Sequence, residues 1–332
     1  MSVIVRTLGA LTALLLLALS ASPARAEAAA PEPVTCRIGV FFTSVHNIDT
    51  AAGTFDADFW MWSVCPTADV KPLETMQFLN AEAVEGQLDA SLPRGRSWWS
   101  TRMFSGAFRQ DFRLANYPFD HQDLVVKLEE SVLDTRGLRY ALDTAESGVD
   151  ESLVTPGWTI SDLQMTAGAT TRATTFGDPS LPGGKSSYAS ATITLKADRA
   201  AKASTFIKAT FPLFIAAFLA LISMAFDIVE TETFMGRMGA LGSILFAVVL
   251  SYVSLDQLVG PHQGLYFLDQ IHFAALLLLL LATAWSVPAH RVAGRWADED
   301  TVRRWDVRVT LALLGLYVIA NAVMIFQALR GV

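Results

Sequence analysis

TFMGRMGALGSILFAVVLSYVSLDQLV, residues 233–259, is long enough to cross a bilayer yet carries Gly236, Gly239, Gly242, Ser243, Ser251 and Ser254. A helix wetted only by lipid gains from apolar surface, so small and hydroxyl residues belong against other helices or against water. Three further stretches, 204–226, 265–287 and 307–329, are dense in Leu, Ile, Phe, Ala and Val and can shield it from lipid. A polar-faced helix among greasier ones suits a pore lining. Close helix packing is the competing use of the same residues.

The composition agrees with a membrane protein that carries one soluble domain. Of the 332 residues, 52% are hydrophobic and only 17% charged. The net charge of −7 excludes the broad basic surface that nucleic acid requires. The chain opens with Arg6, an apolar run over 8–19 and Ala24-Arg25-Ala26, which reads as a secretory signal peptide over residues 1–26. An uncleaved anchor helix is the alternative. The domain that follows is then exported, so the two cysteines, Cys36 and Cys65, are expected to form a disulfide. No His or Cys cluster accompanies them, so no metal and no other cofactor is expected.

Residues 27–200 read as an antiparallel β-sandwich. Candidate strands are 34–46, 55–64, 75–80, 97–112, 123–133, 158–166 and 186–195. The last alternates clearly, with Tyr188, Ser190, Thr192 and Thr194 on one face and Ala189, Ala191, Ile193 and Leu195 on the other. Enzyme signatures are missing: there is no G-x-S-x-G, no H-E-x-x-H and no Gly-rich phosphate loop. His46 and His121 have no obvious nucleophile beside them, and the chain is not expected to be an enzyme.

The informative motif is Asn116-Tyr117-Pro118-Phe119-Asp120-His121-Gln122. A proline between aromatic rings makes a stiff turn that holds apolar groups at a loop tip. On this motif the chain resembles the pentameric ligand-gated ion channel (Cys-loop receptor) family, as a prokaryotic member. Gln110 and Leu124 stand where animal receptors carry the cysteines that flank the loop. Trp158-Thr159-Ile160, Arg199 before the first span, Pro212 within it and the strand at 55–62 follow in the family's order. The resemblance covers roughly residues 34–329. It implies a periplasmic ligand-binding domain, a four-span pore domain over 201–332 and a homopentamer in a bacterial inner membrane. It also implies gating contacts from Tyr117, Pro118, Phe119, Asp120 and Arg199 onto Asp256, Pro261 and Asp269.

The second span, placed at 233–258, can be read as a pore lining. Steps of four and three residues from Arg237 give a stripe of Gly239, Ser243, Phe246, Leu250, Val253 and Gln257. Apolar rings at Phe246, Leu250 and Val253 would gate by dewetting. A shifted register gives Ala240, Ser243, Ala247, Ser251 and Ser254 instead. Glu230 and Glu232, just outside the span, would favour cations, whereas Arg237 would repel them if it faced the lumen; interfacial salt bridging is the other use of all three. Basic residues between spans three and four (His290, Arg291, Arg295, Arg303, Arg304 and Arg308) place that loop in the cytoplasm.

The resemblance implies an agonist site between neighbouring soluble domains. Its candidates are Phe59, Trp60, Trp62 and Arg102 on strands, Tyr140 on one loop, and Phe176 and Tyr188 on a capping loop; core packing is the other use of Phe59, Trp60 and Trp62, and alternation puts at least one face of that strand in the core. The agonist is a small molecule or a proton; Asp269 and His272, one turn apart, are candidate proton sensors, with snorkelling or hydrogen bonding at the interface as the other use of the pair. The expected function is ligand-gated, passive conduction of ions, cations by preference. The alternative is a non-conducting membrane sensor or scaffold of the same fold, with membrane lipid as its other partner.

Overall fold

The computed structural model describes residues 32–259, 264–293 and 295–330, apart from the side chains of 88, 182 and 256–259. The signal-peptide reading falls on residues outside this range. Ten strands come first: β1 (Val34–Asp49), β2 (Thr54–Cys65), β3 (Met76–Phe78), β4 (Ala81–Arg94), β5 (Ser97–Arg109), β6 (His121–Asp134), β7 (Leu138–Leu142), β8 (Gly148–Val149), β9 (Trp158–Arg172) and β10 (Ser186–Arg199). Four helices follow: α1 (Lys202–Ser223), α2 (Thr231–Val259), α3 (Phe267–Val292) and α4 (Glu299–Arg330).

The strands form two sheets. One runs β4-β5-β2-β1-β7, with β8 also on β1; the other runs β3-β6-β10-β9. Both contribute to one apolar cluster, from Ile38, Phe42, Phe59 and Phe108 on the first sheet to Leu124, Leu128, Ile193 and Leu195 on the second. Each such fully buried side chain contributes roughly 1.5–3 kcal/mol. The alternation expected along 186–195 is present: Ala189, Ala191, Ile193 and Leu195 are buried and their neighbours are not. Gly39 faces Trp62 across the β1–β2 ladder. A Cβ there would lie 2.2 Å from the indole, so only glycine fits.

The disulfide expected from the sequence joins Cys36 to Cys65, with 4.4 Å between their Cα atoms. It ties the start of β1 to the end of β2 across 29 residues. A loop of that length is worth about 3–4 kcal/mol in the chain-entropy account.

Three sequence expectations need correcting. One sheet is mixed rather than antiparallel: β7 and β8 run parallel to β1, because the chain leaves β6 in one sheet and joins the outer edge of the other; the β3-β6-β10-β9 sheet is antiparallel throughout. The stretch expected as a strand at 75–80 begins on the last residue of a helical turn, Pro72–Thr75, and holds only the three residues of β3. Proline at its first position nucleates that turn. Finally, β4 was not anticipated. It is an edge strand whose residues are mostly exposed on both faces, so it carries no period-two apolar signal; its pairing with β5 from Ala81↔Phe108 to Arg94↔Ser97 builds it.

All four helices are long and apolar enough to cross a membrane, the signature of a multi-pass membrane protein. Their shared cluster includes Leu213, Leu241, Ile244, Val248, Ile271 and Leu278, and it takes in Leu114 and Tyr117 from the loop before β6. The sheets therefore rest on the helices through that loop.

Candidate functional site

α2 has two unlike faces. Arg237, Leu241, Ile244, Val248 and Leu255 are buried, at the spacing of one helical stripe, against α1 and α3. On the other side Gly239, Ser243, Phe246, Leu250 and Val253 are all exposed, with Phe246 at 66%. The hydroxyl of Ser243 donates to the Gly239 carbonyl at 3.0 Å, which satisfies it within the helix. Ser251, part of the shifted register, is half-buried and lies 3.2 Å from His272 Nε2 on α3. The side chains of Asp256 and Gln257, and all of Pro261, lie outside the described residues.

Arg237 is withdrawn from the exposed stripe. It is fully buried and forms a two-pronged pair with Asp306 of α4, at 2.8 and 3.1 Å. Trp285 of α3 donates its indole N–H to the same carboxylate at 2.7 Å, and Arg237 also reaches the Met224 carbonyl at 3.3 Å. Desolvating a guanidinium is tolerable only with such pairing. A lumen-facing Arg237 is thus corrected to a helix-to-helix tie. Glu230 and Glu232 are exposed at the start of α2. The nearby base is closed by Asp227–Arg303 at 2.7 Å and by His290 stacked on Phe234 at 4.1 Å.

The junction between sheets and helices is built on Asp120 and Arg199. Asp120 follows the Tyr117–Pro118 turn, whose peptide is cis; Arg199 ends β10. They pair at 2.8 Å with Asp120 2% and Arg199 15% exposed at the side chain. The guanidinium lies between the rings of Tyr117 (4.5 Å) and Trp158 (4.4 Å), each a cation–π contact strengthened by burial. Gln122 fixes the turn by donating to Asp120 at 2.6 Å and exchanging bonds with the Arg113 backbone at 2.9 and 3.0 Å. Burial pushes the Tyr117 phenol above its usual pKa, opposed by Arg199 and reinforced by Asp120.

Phe119, beside Asp120, touches both Phe206 of α1 and Phe267 of α3, at 5.5 and 6.0 Å between ring centres. Phe267 also donates its backbone N–H to the Ala115 carbonyl at 2.9 Å. Asp269 is buried and accepts the Tyr266 backbone N–H at 2.8 Å, capping α3. His272 is fully buried, with Nδ1 2.8 Å from the Leu268 carbonyl. The tip therefore presses onto α1 and onto the start of α3.

Alongside, Asp198 accepts from Lys202 at 2.8 Å and lies 2.5 Å from His121 Nδ1. The Lys202 bond, with lesser help from His121, holds its carboxyl below the usual range. A carboxylate depressed in the folded state stabilises above its unfolded pKa of about 3.9 and loses that as pH falls through the folded value. Asp198→Asn is accordingly expected to lower the melting temperature at neutral pH. The gap to the wild type should close in thermal scans below about pH 4.

The agonist-site candidates separate. Phe59 is core, packed on Phe42 and Phe104, and Tyr140 is core, its hydroxyl 3.1 Å from Glu130. Both are corrected from ligand contact to packing. Trp60 and Trp62 are half-buried on the opposite side of β2, where Trp62 donates to Asp143 at 3.1 Å. Arg102 shares the Met61 side of the sheet and is held by Asp89 at 3.0 Å and by the Leu73 carbonyl at 3.1 Å. Phe176 is 66% exposed on the capping loop, with a left-handed φ of 52°, and Arg172 lies 5.9 Å from its ring. Tyr188 stands on the non-core side of β10.

Sequence reasoning missed Glu129. It is buried beneath Arg172 at 2.5 Å, and its Oε2 has no partner among the described residues. Alternation along β6 turns Glu130 inward with Leu124, Val126 and Leu128; Glu129 faces the other way and is buried only by Arg172 of β9, which no local pattern announces. Asp306 was missed as well, because nothing along the chain links it to a residue on α2. No family model matches the chain, and no curated protein matches it significantly.

Proposed function

We propose that this chain is one subunit of a homopentameric ligand-gated ion channel in a bacterial inner membrane, with its two sheets forming a periplasmic β-sandwich. The observation that carries the reading is the exposed face of α2. A lone membrane helix has no use for Gly239 and Ser243 turned outward, whereas neighbouring copies around a water-filled axis do. The junction supports it, since Asp120, Arg199 and Phe119 connect the sheets to α1 and α3 beside α2. Trp60 and Trp62 lie on the outer face of one sheet and Tyr188 on that of the other, so only a neighbouring copy brings the two sets together. With Arg237 tied to Asp306, Glu230 and Glu232 are left to favour cations.

Phe246, exposed and bulky, also fits a dry, non-conducting centre. A cysteine scan separates the readings. Both native cysteines are in the disulfide, so the background is silent. In vesicles, cysteine at 239, 243, 246, 250 or 253 is expected to let a charged, water-soluble thiol reagent block ion flux. Cysteine at 241, 244 or 248 is expected to be inert. Equal behaviour of the two sets contradicts a pore on this face.

A further inference from the structure

The outer face of the β3-β6-β10-β9 sheet holds one acidic group that its surroundings leave half answered. Glu129 stands opposite Ser190 of β10 and turns away from the apolar core, yet its side chain is only 2% exposed. The one bond its side chain makes among the described residues comes from Nη1 of Arg172, at 2.5 Å to Oε1. Oε2 is buried and accepts from none of them. A carboxylate has about four acceptor positions, so a buried one with a single donor is under-supplied.

Arg172 lies over this carboxylate as a lid. It ends β9, directly opposite Ser186 of β10, and cross-strand partners share a face. The Ser186 hydroxyl is buried and also has no partner among the described residues. The Arg172 side chain is 29% exposed, and its guanidinium lies 5.9 Å from the ring of Phe176 on the loop that follows. A guanidinium can present two parallel N–H groups to the two oxygens of a carboxylate. Arg172 presents one, because β10 lies between its own strand and β6 and its length is used in the crossing.

We propose that Glu129 is a recognition site for a small ligand bearing a guanidinium group, and that Arg172 is the chain's own occupant of that site, displaced when the ligand binds. A free guanidinium gives both carboxylate oxygens a donor, which the tethered one does not. An ammonium is a compact point charge without that fork and fits less well. The exposed ring of Phe176 offers the bound cation a face to lie against. Arg172 gives up little in leaving, since it is already partly in water. Because it leads directly into the 173–185 loop, its displacement frees the base of that loop. The inference rests on reading this face as ligand-binding, but it is tested without ion flux.

The test uses the full-length protein in detergent, with ethylguanidinium as the probe, ethylammonium as its control and titration calorimetry as the readout. Arg172→Ala is expected to bind ethylguanidinium roughly tenfold more tightly than the wild type, because the site is no longer occupied for most of the time. Adding Glu129→Gln should abolish that gain, and ethylammonium should bind more weakly than ethylguanidinium throughout. An Arg172→Ala protein that binds no more tightly overturns the proposal, as does a gain that survives Glu129→Gln or equal binding of the two cations. Should Arg172→Ala not fold, thermal unfolding of the wild type decides. Ethylguanidinium should then raise the midpoint more than ethylammonium at equal millimolar concentration, and equal shifts would overturn the proposal. The expected binding from a protein that passes no current would count against the channel reading alone.

Discussion

Asp306→Ala is expected to destabilise the helical bundle by about 3–5 kcal/mol, because it strands a fully buried guanidinium. Asp306 takes both prongs of Arg237 and the indole N–H of Trp285, so three donors lose their acceptor at once. No water is at hand to replace it, since Arg237 is wholly buried. Thermal unfolding of the purified protein in detergent reads the loss. Arg237→Met with Asp306→Leu removes both charges and keeps the volume, and should recover most of the stability, since a buried pair contributes little beyond its own desolvation. A double variant as unstable as Asp306→Ala alone would contradict the assignment.

The second large effect falls at the junction. Asp120→Ala leaves Arg199 buried between two rings with its carboxylate gone and its Nη2 already unpartnered among the described residues. Gln122 loses an acceptor in the same step. The expected loss is about 3–5 kcal/mol for a buried pair broken on one side. A double-mutant cycle with Arg199→Gln should give a coupling of about 1.5–3 kcal/mol, the range for hydrogen bonds to charged groups. Additive effects would mean that the two residues act separately, and that the turn is held by its Phe119 contacts alone.

What was legible in the chain follows the physics of each part. The four spans announce themselves because lipid demands long apolar runs, and a helix covers each, although the first ends at Ser223 rather than 226 and the third starts at Phe267 rather than 265. β10 is legible because one side faces a core and the other does not. β4 is not, since an edge strand with little buried surface leaves no alternation to read. The turn at Tyr117 to Asp120 carries its own stiffness in the proline and was found; its partner Arg199 was placed by resemblance, and the geometry puts the pair in contact. Arg237 was legible as a charge in a costly place but not as half of a pair, because Asp306 lies 69 residues away. Phe59 stayed open between cage and core, and Tyr140 misled, because aromatics serve a binding cage and a core equally well; only burial separates the two uses.

Ion current through planar bilayers from purified protein, comparing the wild type with Leu250→Ala and Ser243→Lys, tests the pore most directly. Leu250 is half exposed on the free face of α2 and Ser243 lies two turns below it on the same face. Shrinking the apolar ring should raise current by easing dewetting, and a lysine ring in the lumen should suppress cation current. The account predicts current that grows with Leu250→Ala and falls with Ser243→Lys. Silence from all three, with a folded pentamer confirmed by mass, would contradict it.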